Sequence, residues 1–191
     1  EDLAAPNRAG FAHFDGSLFN FIQGASYYAW PRVINGQEVG SERYATTVTV
    51  DAAVDWIKRT PQPWFAYVAF HAPHNPYEAP PSALHQVDVS EGDARSLYRA
   101  MVEALDSEIG RLLREIGPER RANTVVIFLG DNGTPAAVTV PPFLSEHGKS
   151  TLYQGGIAVP LIGSGPGLGA RGREAEALVH TTDGFSTVVE L

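Results

Sequence analysis

An amphipathic helix running straight into an apolar strand is the feature that most restricts the fold of this chain. From Asp93 to Ile116 the residues Leu97, Met101, Leu105, Ile109, Leu112 and Ile116 recur at three- and four-residue steps, and Gly117-Pro118 stops the pattern. The next apolar run, Thr124–Gly130, is rich in β-branched residues and predicts a buried strand. Trp64–Phe70 predicts a central strand on the same grounds. It follows a helix over Tyr44–Arg59, whose apolar positions Val50, Ala53, Val54 and Ile57 keep helical spacing up to Pro61. Between strand and long helix, the prolines of His71–Pro81 forbid both helix and ladder pairing, so that segment is loop. A third strand is predicted at Ile157–Ile162, then a Gly/Pro loop over Gly163–Gly169, a short strand near Ala177–His180 and a helix from about Asp183. Residues 1–43 read as irregular structure with one short strand pair around Asn35-Gly36, a turn dipeptide. Alternating helices and buried strands predict a layered α/β domain. Without repeats, linkers or low-complexity tracts, residues 1–191 read as one domain.

Composition narrows the partners. The net charge of −8 argues against nucleic acid or an anionic membrane surface as a target of bulk electrostatics. An anionic substrate would need a local positive site. No apolar run approaches the roughly 20 residues of a membrane span. With no cysteine there is no disulfide, thiolate metal site or cysteine nucleophile within these residues. The chain opens at Glu1 with no initiator methionine and no signal-peptide pattern. A processed or truncated polypeptide and a natural fragment are both open readings, and oligomeric state and compartment are not legible.

The strand Thr124–Gly130 ends in Asp131-Asn132-Gly133, and Lys149 follows eighteen residues after Asp131. In an α/β sheet, ligands bind at the carboxyl ends of strands. Adjacent carboxylate and carboxamide oxygens there suit Ca²⁺ or Mg²⁺ better than zinc, which prefers nitrogen and sulfur. A plain β-turn explains the same three residues, and the strand before them and the lysine after them favour the metal reading. His71 and His74 flank Ala72-Pro73 just after the Trp64–Phe70 strand, where one imidazole could bind an oxyanion or protonate a leaving oxygen. His147 is open between surface residue and site. At His180 and Asp183 a helix cap is the cheaper explanation. Asp106 lies mid-helix and reads as structural, while His13, Asp15 and His85 read as solvated.

Together these segments resemble the sulfatase family of the alkaline-phosphatase-like superfamily. The resemblance runs in collinear order through Phe65–Pro76 with its His74 loop, Asp106 and Gly110 on the long helix, and Asp131-Asn132-Gly133. It continues through Gly148-Lys149, Tyr153-Gln154-Gly155-Gly156, Val159-Pro160-Leu161 and His180-Thr181-Thr182-Asp183. It implies an incomplete alkaline-phosphatase-like fold, layered α/β/α with a mostly parallel central sheet. It further implies a sulfuric ester hydrolase acting on a small-molecule or saccharide sulfate. Asp131 and Asn132 would be two ligands of Ca²⁺, with Mg²⁺ or Mn²⁺ as alternatives. Lys149 and His74 would bind the sulfate oxygens, and one of them would protonate the departing oxygen. The compartment stays open, with a periplasmic or secreted location as the family's tendency.

The departures are equally concrete. The family's nucleophile is a formylglycine made from Cys or Ser in Cys/Ser-x-Pro-x-Arg, a motif absent from these residues. The family's two adjacent N-terminal metal aspartates are also missing. Formylglycine is therefore expected only in a preceding N-terminal part, and this chain alone is expected to be inactive. If such a part contributes strands, an unpaired sheet edge should be visible here. Gln154 and Ala158 stand where the family has Glu and Arg. Loss on both sides leaves no buried orphan charge, so Gln154→Glu alone is expected to lower thermal stability. Two other functions stay open. One is a phosphodiesterase or phosphonate monoester hydrolase of the same superfamily, and the other is a non-catalytic relative that binds an anion or a partner.

Overall fold

The computed structural model describes residues 2–21, 24–168 and 172–190. A short helix α1 (Ala5–Arg8) precedes a small antiparallel sheet of β1 (Asp15–Gly16), β2 (Val33–Ile34) and β3 (Gln37–Glu38). Asn35 and Gly36 join β2 to β3 with φ of 48° and 83°, the left-handed pair that a two-residue hairpin requires. Helix α2 (Ala45–Arg59) ends at Thr60-Pro61 as its sequence demands. Helix α3 (Ala94–Glu115) starts at Asp93, whose carboxylate accepts the amides of Arg95 and Ser96 at 3.0 and 3.1 Å. After α4 (Pro118–Ala122) come β4 (Val126–Leu129), α5 (Gln154–Ile157), β5 (Leu161–Ser164) and α6 (Asp183–Glu190).

The core lies where α2 and α3 pack against each other and against the N-terminal segment. Val48 of α2, Met101 and Ala104 of α3, and Phe21, Tyr27, Trp30 and Tyr44 form one buried cluster, which Ala72 of the His74 loop joins. The first 43 residues read as irregular, and they supply most of the core's aromatic volume. At its polar margin the carboxylate of Glu108, only 2% exposed, accepts from Arg111 Nε at 2.7 Å and Thr47 Oγ1 at 2.9 Å. A buried charge needs such partners.

Three predicted strands need correction. Trp64–Phe70 forms no strand, with Phe65, Tyr67 and Ala69 exposed and the alternate residues half-buried. Among the described residues none of its backbone groups enters a ladder. An apolar strand needs a neighbour at hydrogen-bond distance, and none of the described residues supplies one. Among the described strands no parallel pair of a mostly parallel central sheet occurs. Leu129 pairs with Leu161 and Val126 with Ser164, so β4 and β5 run antiparallel, as β1, β2 and β3 do. Finally, the strand expected at Ile157–Ile162 begins only at Leu161, because Gln154–Ile157 forms one helical turn. The segment Ala177–His180 forms no strand, and Gly169 of the predicted loop lies outside the described residues. Trp64–Phe70 lies in neither described sheet, so it supplies no sheet edge of the kind expected of an incomplete sheet.

Candidate functional site

Asp131 and Asn132 emerge at the carboxyl end of β4, where Gly130 N–H still donates to Pro160 C=O at 3.0 Å. Two backbone bonds then fasten the turn to the segment bearing Lys149. Gly133 N–H donates to Gly156 C=O at 3.1 Å, and Lys149 N–H donates to Thr134 C=O at 2.8 Å. The approach is close enough to dictate glycine. A Cβ on Gly133 would stand 2.6 Å from Gly156 Cα, and one on Gly148 would stand 2.5 Å from the Thr134 carbonyl oxygen. Ser150, with φ of 72°, turns the chain immediately after Lys149. Residues 131–134 and 148–156 thus form one backbone-locked unit.

The donors in that unit are available. Asn132 Nδ2 donates to Gly133 C=O at 3.1 Å, which leaves Oδ1 free as an acceptor. Asp131 is exposed, and among the described residues its carboxylate has no ion-pair partner. Lys149 is half-buried, and its ammonium also lacks a carboxylate partner among the described residues. Two hard oxygens side by side fit Ca²⁺ or Mg²⁺ in kind but supply only part of a shell of six to eight oxygens. No cluster of three or more His, Cys, Asp or Glu suited to a metal occurs among the described residues.

The two loop histidines divide their roles. His71 stacks on Phe21 at 4.3 Å and places Nε2 3.0 Å from the Phe19 carbonyl. Burial lowers its pKa, which keeps it neutral and structural. His74 is half-buried and its Nδ1–H donates to the Asn75 carbonyl at 2.7 Å, so Nε2 is the nitrogen left for a ligand. Tyr98 of α3 connects this loop to the turn. Its ring meets Tyr77 edge-on at 5.9 Å. The phenol pKa is raised chiefly by burial, with Thr134 lowering it and the Asp131 carboxylate raising it, which locates Tyr98 beside the turn. Arg95, one turn earlier, donates to Thr139 C=O at 3.1 Å. No hydrogen bond or ion pair joins His74 directly to Asp131, Asn132 or Lys149 among the described residues.

The other candidate residues have varied surroundings. His180 Nδ1 lies 2.9 Å from Thr182 Oγ1, and Asp183 accepts the His180 amide at 2.8 Å, closing the start of α6. Asp15 holds Arg32 through two bonds of 2.6 and 2.7 Å rather than being solvated. His147 stacks on Tyr153 at 3.5 Å beside Gly148. Asp106 is exposed. Gln154 and Ala158 are exposed too, so a glutamate at 154 would stay hydrated and the stability loss expected from the sequence does not follow for this chain. Tyr27, Glu78 and Tyr98 hold the site loops, and no spacing rule singled them out.

A model of the sulfatase family matches residues 4–191. The chain belongs to the sulfatase family. It is similar to a sulfatase of Formosa agariphila, 34% identical over 171 residues, covering 80% of this chain and 30% of that protein. It is also similar to the N-acetylgalactosamine-6-sulfatase of Sus scrofa, 33% identical over 163 residues, covering 78% of this chain and 29% of that protein. The chain therefore spans about 30% of the length of these curated relatives. Among solved structures, that of Ps i-CgsB superposes with a TM-score of 0.70 at 25% identity, covering 85% of this chain and 41% of that one. These likenesses imply an alkaline-phosphatase-like α/β fold for this sulfatase-family chain.

Proposed function

We propose that the protein to which these residues belong hydrolyses sulfate monoesters, with saccharide sulfates among its substrates, and that residues 131–156 supply the anion-binding half of its active site. The observation that carries this reading is the Lys149 N–H bond to Thr134 C=O at 2.8 Å, which ties the backbone of a lysine to the turn that follows Asp131-Asn132 in a chain of this family. On a chain of net charge −8, an anion needs such a local cation. The Lys149 ammonium would bind the non-bridging sulfate oxygens, acting as positioning and charge clamp together. His74 Nε2 would face the same anion and, when protonated, could donate to it or to the departing oxygen. Asp131 and Asn132 Oδ1 would hold a divalent cation, Ca²⁺ by preference, which when bound supplies Lewis-acid stabilisation of the transferring group. The remaining cation ligands and the formylglycine nucleophile are assigned to sequence outside these residues, as are the strands that make the central sheet mostly parallel. Accordingly the 191-residue chain by itself is inactive.

The test uses the complete polypeptide with matched 4-nitrophenyl sulfate and phosphate esters. Sulfate turnover should exceed phosphate turnover, and Lys149→Ala should lower sulfate kcat/KM by at least about 100-fold. Faster phosphate or phosphonate turnover would favour the superfamily's phosphodiesterase and phosphonate hydrolase chemistry. Binding of sulfate without turnover of any ester would assign a non-catalytic, anion-binding role.

A further inference from the structure

The loop that carries His74 is gripped by one buried residue of the N-terminal segment. Tyr27 is 0% exposed, with its ring edge-on to Phe21 at 5.0 Å and 5.7 Å from Tyr44. Its phenol donates to the His74 carbonyl at 2.9 Å. Its backbone N–H donates to the Glu78 carboxylate at 2.6 Å. Its neighbour Tyr28 adds a third tie, O–H to Ala79 C=O at 2.9 Å. A phenylalanine at 27 would fill the same core volume, so packing alone does not account for the hydroxyl aimed at the backbone of His74. Because His74 Nδ1 bonds the adjacent Asn75 carbonyl at 2.7 Å, the imidazole turns with the backbone that Tyr27 holds.

We propose that Tyr27 is a positioning residue: its hydroxyl on His74 and its amide on Glu78 fix the loop so that His74 Nε2 faces the sulfate ester. The inference rests on the proposed role of His74. Geometry of this kind matters because misplacement of a reacting group by about 1 Å can cost on the order of 100-fold in rate.

The experiment is a double-mutant cycle in the complete polypeptide, with kcat and KM for 4-nitrophenyl sulfate and thermal melting measured for each variant. Tyr27→Phe should lower kcat about tenfold with KM within about twofold, and in a His74→Ala background it should add less than about twofold. Glu78→Ala, which removes the second tie without touching the core ring, should show the same dependence on His74. An equal loss in both backgrounds, a folded Tyr27→Phe enzyme with wild-type kcat, or a Tyr27→Phe chain that does not fold would each assign Tyr27 to stability alone. If His74→Ala is crippled but Tyr27→Phe is not, the site reading stands and this inference falls. If His74→Ala is fully active, the role of His74 falls first and the inference with it.

Discussion

At position 133 a methyl group has nowhere to go. Alanine there would put Cβ 2.6 Å from Gly156 Cα and push the turn off the Gly155-Gly156 backbone. Gly133→Ala should therefore destabilise the chain by about 1–3 kcal/mol, as overpacking does, and this is read as a lower Tm. The motif marked this glycine, but the clash is with a segment distant in the chain, so the reason for it came only from the fold. His71 is different, because its stacking on Phe21 and its contact with the Phe19 carbonyl separate it from His74. Its folded pKa lies below the ordinary 6.5, so the unfolded chain binds the proton more tightly. Stability is thus full above about pH 6.5 and declines as the pH falls through the folded pKa. His71→Gln should flatten that part of the Tm-against-pH curve, and an unchanged acid-side slope would remove His71 as its cause.

At the scale of elements, α2 and α3 followed from periodicity alone, since an amphipathic stripe and a cap act within a few residues. Strands did not. Trp64–Phe70 has strand composition and an alternating exposure, yet pairing depends on a partner chain segment at the right distance, which composition does not specify. The α2–α3 contact contains one interaction that periodicity hides. Glu108 falls on the buried side of α3 and is retained by Arg111 and Thr47. Glu108→Ala leaves Arg111 with its remaining partners Asp51 and Glu115 but removes a nearly buried ion-pair member, and should cost about 3 kcal/mol by chemical denaturation. A loss below about 1 kcal/mol would show that Glu108 is hydrated in solution.

Across the whole molecule the described surface is unevenly finished. One side packs aromatic residues around α2 and α3. Elsewhere Phe65, Tyr67, Leu161 and Ile162 are exposed, with Tyr67 75% exposed on a segment whose backbone joins no ladder among the described residues. Exposed apolar area of that kind calls for cover. The 191-residue chain should accordingly bind a hydrophobic dye such as ANS in its folded state, and Tyr67→Lys should weaken the signal by about half. Folded chain without dye binding would mean that this face closes on itself in solution. The curated relatives are more than three times as long as the matched region, since it covers 29–30% of them, so they have sequence to spare for such a cover.

The sequence by itself determined the two long helices, the Asn35-Gly36 hairpin, the strand ending in Asp131-Asn132 and the family. Each of these depends on residues close together in the chain or on motifs in a fixed order. Tertiary structure alone decided that Thr134 and Lys149 share a backbone bond, that Tyr27 reaches His74 across 47 residues, and that β4 and β5 run antiparallel. Those outcomes come from the packing of distant segments, whose close approach is set by buried volume and backbone pairing and leaves no periodic mark on the sequence.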